Sequence, residues 1–176
     1  MQPRWLPALA HVTALTPLPA GLWRVAGAFG VPLGFAEGSG LHPSEISPGF
    51  ACYLIGLSVV SEGVALLTLG LVRPWGRVVP GRVPWLGGRR IPPLASFLPA
   101  ITGATLLTLL SVRAVLTWNA ADMMGGADAP QGTAYWVMTA VYTPMAFWGP
   151  LLAVVAVVSY RHRPSVNRLP AVTPAR

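Results

Sequence analysis

Residues 50–72 read FACYLIGLSVVSEGVALLTLGLV and are followed at once by Arg73 and Pro74. A stretch of this length with a single charge, Glu62, meets the need for about 20 apolar residues in a helix that crosses the hydrocarbon core of a bilayer. Two further runs share its character, 94–118 after Pro92 and Pro93, and 134–160 up to Arg161. Trp118 closes the third run, and Tyr135, Trp136 and Tyr160 bracket the fourth, where interfacial aromatics belong. These runs predict an all-α bundle of four transmembrane helices, 6–35, 50–72, 94–118 and 134–160, forming one membrane domain over 1–160.

The first run is the one whose ends stay open. From Trp5 to Phe35 it would extend roughly 45 Å at about 1.5 Å per residue, longer than the core is thick. It also carries Pro17, Pro19 and Pro32, which break or bend helices. Either it is one tilted helix kinked near Pro17, or the residues before Pro17 lie in the interface and the span begins later. The kinked span is the expectation here. A cleavable signal ending near Ala20 is the remaining alternative, opposed by its thin basic start and by Arg24 so soon afterwards.

Composition agrees with the spans: 53% of the 176 residues are hydrophobic and 10% charged, with a mean hydropathy of +0.58. Such a chain has too few polar side chains to cover a soluble globule. All of its cations are arginines, and Arg4, Arg73, Arg77, Arg82, Arg89, Arg90, Arg161, Arg163, Arg168 and Arg176 fall in segments that would share one side of the membrane. Glu37, Glu45, Asp122 and Asp128 lie in the connections 37–49 and 119–133, which contain no arginine. This is the positive-inside pattern, and it predicts a multi-pass protein of the cell membrane with both termini cytoplasmic.

A pI near 11.1 raises nucleic acid as a partner. The arginines, however, sit at the ends of apolar runs, where anionic lipid headgroups attract them. Headgroup contact is therefore expected at Arg73, Arg77, Arg82, Arg89 and Arg90, with no nucleic-acid partner. The connection 73–93 repeats proline and pairs Gly87 with Gly88, which favours turns, and Trp75 and Trp85 would hold it at the bilayer surface. The basic tail 161–176, with prolines and little apolar content, reads as disordered and cytoplasmic.

Chemistry inside the spans would have to come from Arg24, Glu62 and Arg113. A charge within a bilayer costs about 2.5 to 3.5 kcal/mol on insertion scales, which makes each a functional-site hypothesis. Ser58, one turn before Glu62, and Ser61 beside it are placed to bond the carboxylate. One reading is a polar cavity that takes an anionic group or carries ions. The other is a structural ion pair of Arg24 with Glu62 that docks the first and second helices, with Arg113 snorkelling. If the first span ends at Phe35 the pair is level; if it ends nearer Gly30, Arg24 stands higher. Gly56, Gly63 and Gly70 form a small stripe for helix packing, and Ala100 with Ala104 offers a matching step.

Other chemistries lack their residues. His11, His42 and His162 are too scattered for paired haem ligation, no Cys/His cluster has metal spacing, and Cys52 stands alone. No cofactor and no catalytic residue is expected. Pro144 implies a kink in the fourth run.

The combination Gly21-Leu22-Trp23-Arg24, Ser61-Glu62, Leu71-Val72-Arg73-Pro74-Trp75-Gly76 and Val83-Pro84-Trp85-Leu86-Gly87-Gly88-Arg89-Arg90-Ile91-Pro92 resembles small uncharacterised four-span integral membrane proteins of actinobacteria. The resemblance implies a membrane location and four spans, and brings no activity and no site residues. The leading expectation is a non-catalytic membrane component that packs against itself or a membrane partner. The alternatives are a small transporter or channel subunit using Glu62 with Arg24 and Arg113, and a membrane enzyme acting on a lipid or quinone.

Overall fold

The computed structural model describes residues 3–76, 91–120 and 124–162. Among these residues every regular element is helical and there is no strand. The helices are α1 (Leu6–Leu15), α2 (Leu18–Ala28), α3 (Pro48–Val72), α4 (Pro93–Leu116), α5 (Thr133–Ala146) and α6 (Trp148–Arg161), with a 3-10 turn at Pro74–Gly76. Three segments are long and apolar enough to cross a membrane: Pro48–Val72, Pro93–Leu116 and Thr133–Arg161, the last being α5 and α6 together.

Local chemistry sets the ends of α3. The Ser47 side chain accepts from the Phe50 N–H at 3.2 Å and Pro48 occupies the first turn, where its missing N–H costs nothing. At the other end Pro74 forces Arg73 into an extended conformation, ψ 153°, and the helix stops.

Proline also divides the first run. Pro17 has no N–H to give the Thr13 carbonyl, which instead accepts from the Thr16 N–H (3.3 Å) and the Thr16 hydroxyl (2.7 Å). Thr13 is fully buried, and a buried carbonyl freed from its helix needs such a replacement. The break expected near Pro17 is present, but the helix does not continue to residue 35. It ends at Ala28, and Gly30 (φ 79°) and Gly34 (φ 87°) take left-handed turns that suit glycine. Leu33 and Phe35 then pack into a small core with Ala129 and Met138. The Ala36 N–H donates to the Asp128 carbonyl at 3.3 Å, so the bases of the two long connections are joined.

The fourth run breaks at Phe147 rather than at Pro144, which stays inside α5. Pro150 explains the position, because a proline ring clashes with the carbonyl four residues earlier, here that of Ala146. The Phe147 N–H turns to the Pro144 carbonyl at 3.1 Å, tightening the end of α5.

The segments form four antiparallel columns. At one end the Arg73 guanidinium donates to His11 Nε2 at 3.1 Å and the Phe97 and Tyr160 rings stack at 4.5 Å. At the opposite end Ala36 meets Asp128, and the Trp118 and Tyr142 rings lie 5.9 Å apart. α1 and α2 lie along α3, α6 touches α1, α3 and α4, and α4 stands at the edge, chiefly against α6. Leu6, Ala10, Leu71, Val72, Ala104, Leu152, Val155 and Ala156 make the main core. Only 6% of the apolar window of α4 is buried within the chain, so its Leu106, Leu109 and Val115 are left for lipid or a partner.

Lipid gives helices little hydrophobic drive to associate, so close approach matters. A Cβ on Gly149 would lie 2.5 Å from the Thr108 N and 2.9 Å from the Ala104 O, both backbone atoms. The small step at Ala104 is therefore matched by Gly149 of α6, not by the glycines of α3. Of that stripe, Gly56 and Gly63 are exposed with open space around them. Gly70 alone is buried, with the Trp75 ring 2.9 Å from where its Cβ would be. The covered face of α3 runs through Leu54, Ser58, Ala65 and Thr68, and the first two glycines are rotated away from it.

Candidate functional site

The charged residues of α2 and α3 meet near the end that carries the two long connections. Arg24 Nε donates to Ser58 Oγ at 3.2 Å. Ser58, buried, shares its own proton between the Leu54 carbonyl of its helix (2.8 Å) and the Gly21 carbonyl of α2 (3.3 Å). A Cβ on Gly21 would stand 3.7 Å from both Glu62 Oε1 and the Ser58 Cβ, so the carboxylate lies against the α2 backbone. Small residues at 21 and 58 let the helices approach closely enough for this side-chain to backbone bond.

Arg24 attracts Glu62 electrostatically, yet the two form no salt bridge within 4.0 Å. The expected ion pair is replaced by the Arg24–Ser58 bond, and the reason is the end of α2. With the helix finishing at Ala28 rather than near 35, Arg24 is level with Ser58, one turn before Glu62. Arg24 Nη2 and Glu62 Oε1 are both buried and make no hydrogen bond among the described residues. α2, which carries Arg24, packs against both α3 and α5.

The remaining polar candidates stand apart. Ser61 donates to the Leu57 carbonyl of its own helix at 2.7 Å rather than to Glu62. Arg113 is exposed on α4, which packs on α6 and α5, and it does not join Arg24 and Glu62. Arg73 is exposed at the end of α3 and engages His11; Arg77, Arg82, Arg89, Arg90, Asp122 and residues 163–176 lie outside the described residues. Among the described residues no group of three or more His, Cys, Asp or Glu converges as a metal site would require.

A second feature was not read from the sequence. A cleft of about 600 Å³ opens between the latter half of α4 and the α5–α6 junction, bordered by Leu110, Ala114, Trp118, Tyr142, Phe147 and Trp148 among others. It exists because Gly149 holds α6 against α4 while the break at Phe147 lets α5 diverge from it. Its only advance sign was the cluster of aromatics around the prolines of the fourth run. A smaller hollow beside it, between α4 and Pro150, has a volume of about 200 Å³. Neither cavity includes Arg24, Glu62 or Arg113.

Compared with the models of known families, with curated proteins and with solved structures, the chain matches none.

Proposed function

We propose that this chain is a four-span protein of the cell membrane, both termini cytoplasmic, acting as a non-catalytic membrane component that associates with a second copy of itself. In this reading α1 and α2 together make the first span, and the arginine partition sets the orientation. The Arg24–Ser58–Gly21 network docks the first two spans. A transport role for Glu62 has less support, since Arg113 stands apart and neither cavity touches the carboxylate.

The observation that carries the reading is the bare face of α3. A Cβ added at Gly56 or Gly63 would meet nothing within 4 Å, and Cys52, one turn earlier on the same stripe, is exposed. Small residues repeated on a lipid-facing helix let a second helix approach closely, and a two-fold pairing brings the same residue of each copy together. Cys52 is the one cysteine in the chain, so the natural protein carries its own reporter. Mild oxidation in native membranes is expected to give a disulfide-linked dimer through Cys52, and Gly56→Leu with Gly63→Leu should cut its yield about fivefold, the equivalent of roughly 1 kcal/mol. Equal yields from the parent and the double variant would remove the proposal.

A further inference from the structure

We propose that Trp5, Trp75 and Tyr160, each with an exposed arginine beside it, form one girdle that seats their end of the bundle at the headgroup boundary of a leaflet containing anionic lipid. The girdle rests on the reading of α1 and α2 as one span and is independent of self-association.

The exposed tryptophans and tyrosines are sorted by position. Among the described residues they are Trp5, Tyr53, Trp75, Trp136 and Tyr160, and each lies near an end of its column. The large side chains exposed between them are Leu and Val, with Phe147 as the aromatic exception and no indole or phenol. A ring with an apolar body and a polar edge is best placed where lipid meets water, whereas Leu, Val and Phe suit the hydrocarbon.

Three of the five stand at one level. Leu6 of α1, Val72 of α3 and Ala156 of α6 share a core; Trp5 precedes the first, Trp75 follows the second within the 3-10 turn, and Tyr160 is one turn beyond the third. Two of these rings are held by the chain itself, Trp75 over Gly70 and Tyr160 stacked on Phe97 of α4 at 4.5 Å. Tyr53 and Trp136 belong to the opposite end, close to the starts of α3 and α5. From Tyr53 to Val72 the helix rises about 29 Å at about 1.5 Å per residue, which matches a hydrocarbon core of about 30 Å. The girdle then puts the first turn of α1 at the boundary and the rest of that helix within the hydrocarbon.

Charge separates the two ends. Arg4, Arg73 and Arg161 are exposed and lie within two residues of Trp5, Trp75 and Tyr160, while Tyr53 and Trp136 have no arginine within ten residues. Arg73 also donates to His11 of α1 at 3.1 Å, which joins the pairs on α1 and α3. Among the described residues the acids lie elsewhere, Glu37, Glu45 and Asp128 in the connections of the opposite end and Glu62 in the middle of α3. An arginine can lay its stem along apolar surface while its guanidinium reaches a phosphate, so an arginine next to an interfacial ring fits an anionic headgroup. Arg73 alone reads from the sequence as a headgroup contact; the packing of three columns brings Arg4, Trp5, Tyr160 and Arg161 to the same surface.

The test places the full chain in vesicles of phosphatidylcholine and phosphatidylglycerol, brominated either near the headgroup or near the chain ends. Trp5→Phe and Trp75→Phe change exposed positions and should leave the fold intact, so parent minus variant gives the fluorescence of each indole. Both signals are expected to be quenched at least about twofold more by the shallow bromines than by the deep ones. Arg4→Gln with Arg161→Gln should lower the phosphatidylglycerol retained on detergent extraction about twofold and leave phosphatidylcholine unchanged. Stronger quenching of Trp5 by the deep bromines removes the girdle and leaves four spans standing. No quenching of Trp5 by either, with Trp75 still quenched by the shallow ones, removes the girdle together with the first span. Unchanged phosphatidylglycerol overturns the choice of an anionic leaflet.

Discussion

Ser58 is the residue on which two helices depend. Its oxygen accepts from Arg24 while its proton goes to the Gly21 and Leu54 carbonyls, so one small side chain joins a charge, a neighbouring backbone and its own helix. Ser58→Ala would leave the Arg24 Nε without its acceptor in a guanidinium whose Nη2 already lacks one. Losing a buried partner of a charged group costs about 1–3 kcal/mol. Thermal unfolding in detergent should show that loss for Ser58→Ala and almost none for Ser61→Ala, whose hydroxyl serves only its own helix. Similar losses for both would dismiss the interhelical role. Arg24, Ser58 and Glu62 were all legible in the sequence because charges and hydroxyls are conspicuous within apolar runs. Their pairing was not, since it turns on where α2 ends, and one helical turn is about 5.4 Å. Gly21 carried no such signal; it contributes only because α2 and α3 come close there.

At the level of elements, prolines decide where helices break and glycines decide which faces meet. The sequence pointed correctly to Pro17, where Thr16 repairs the freed Thr13 carbonyl. It pointed to Pro144 in the fourth run, but Pro144 is accommodated within α5 and the interruption follows from Pro150 acting back on Ala146. The glycine stripe of α3 shows the corresponding limit: seven-residue spacing defines a face without saying what covers it. Gly149, unnoticed in the sequence, makes the tight crossing. Gly149→Val would drive a side chain into the Thr108 N and Ala104 O of α4, where neither backbone atom can move aside cheaply. Overpacking of this kind costs about 1–3 kcal/mol. Gly103→Val, on the same stretch of α4 but with open space around it, is the control and should change unfolding by no more than about 0.5 kcal/mol. A control as damaging as Gly149→Val would show that the crossing is not what the glycine protects.

For the whole molecule, the apolar runs announced the helices, while the order in which the columns pack was hidden. Periodicity says little when lipid, rather than water, faces the outer surface, and α4 is apolar on nearly every side. The joined bases of the long connections were equally hidden, because Leu33 and Phe35 read as the end of a span instead of a cap over it. That joining makes the orientation testable in two separable parts. Ala36 and Asp128 meet at one end of the bundle, so reporters inserted at residues 40 and 126 must fall on the same side of the membrane whichever way the protein is inserted. The arginine partition adds the direction: those two should report the outside, and fusions at residue 81 or after Arg176 should report the cytoplasm. Disagreement between 40 and 126 would contradict the antiparallel columns themselves. Agreement with all four positions reversed would leave the columns intact and refute only the positive-inside assignment.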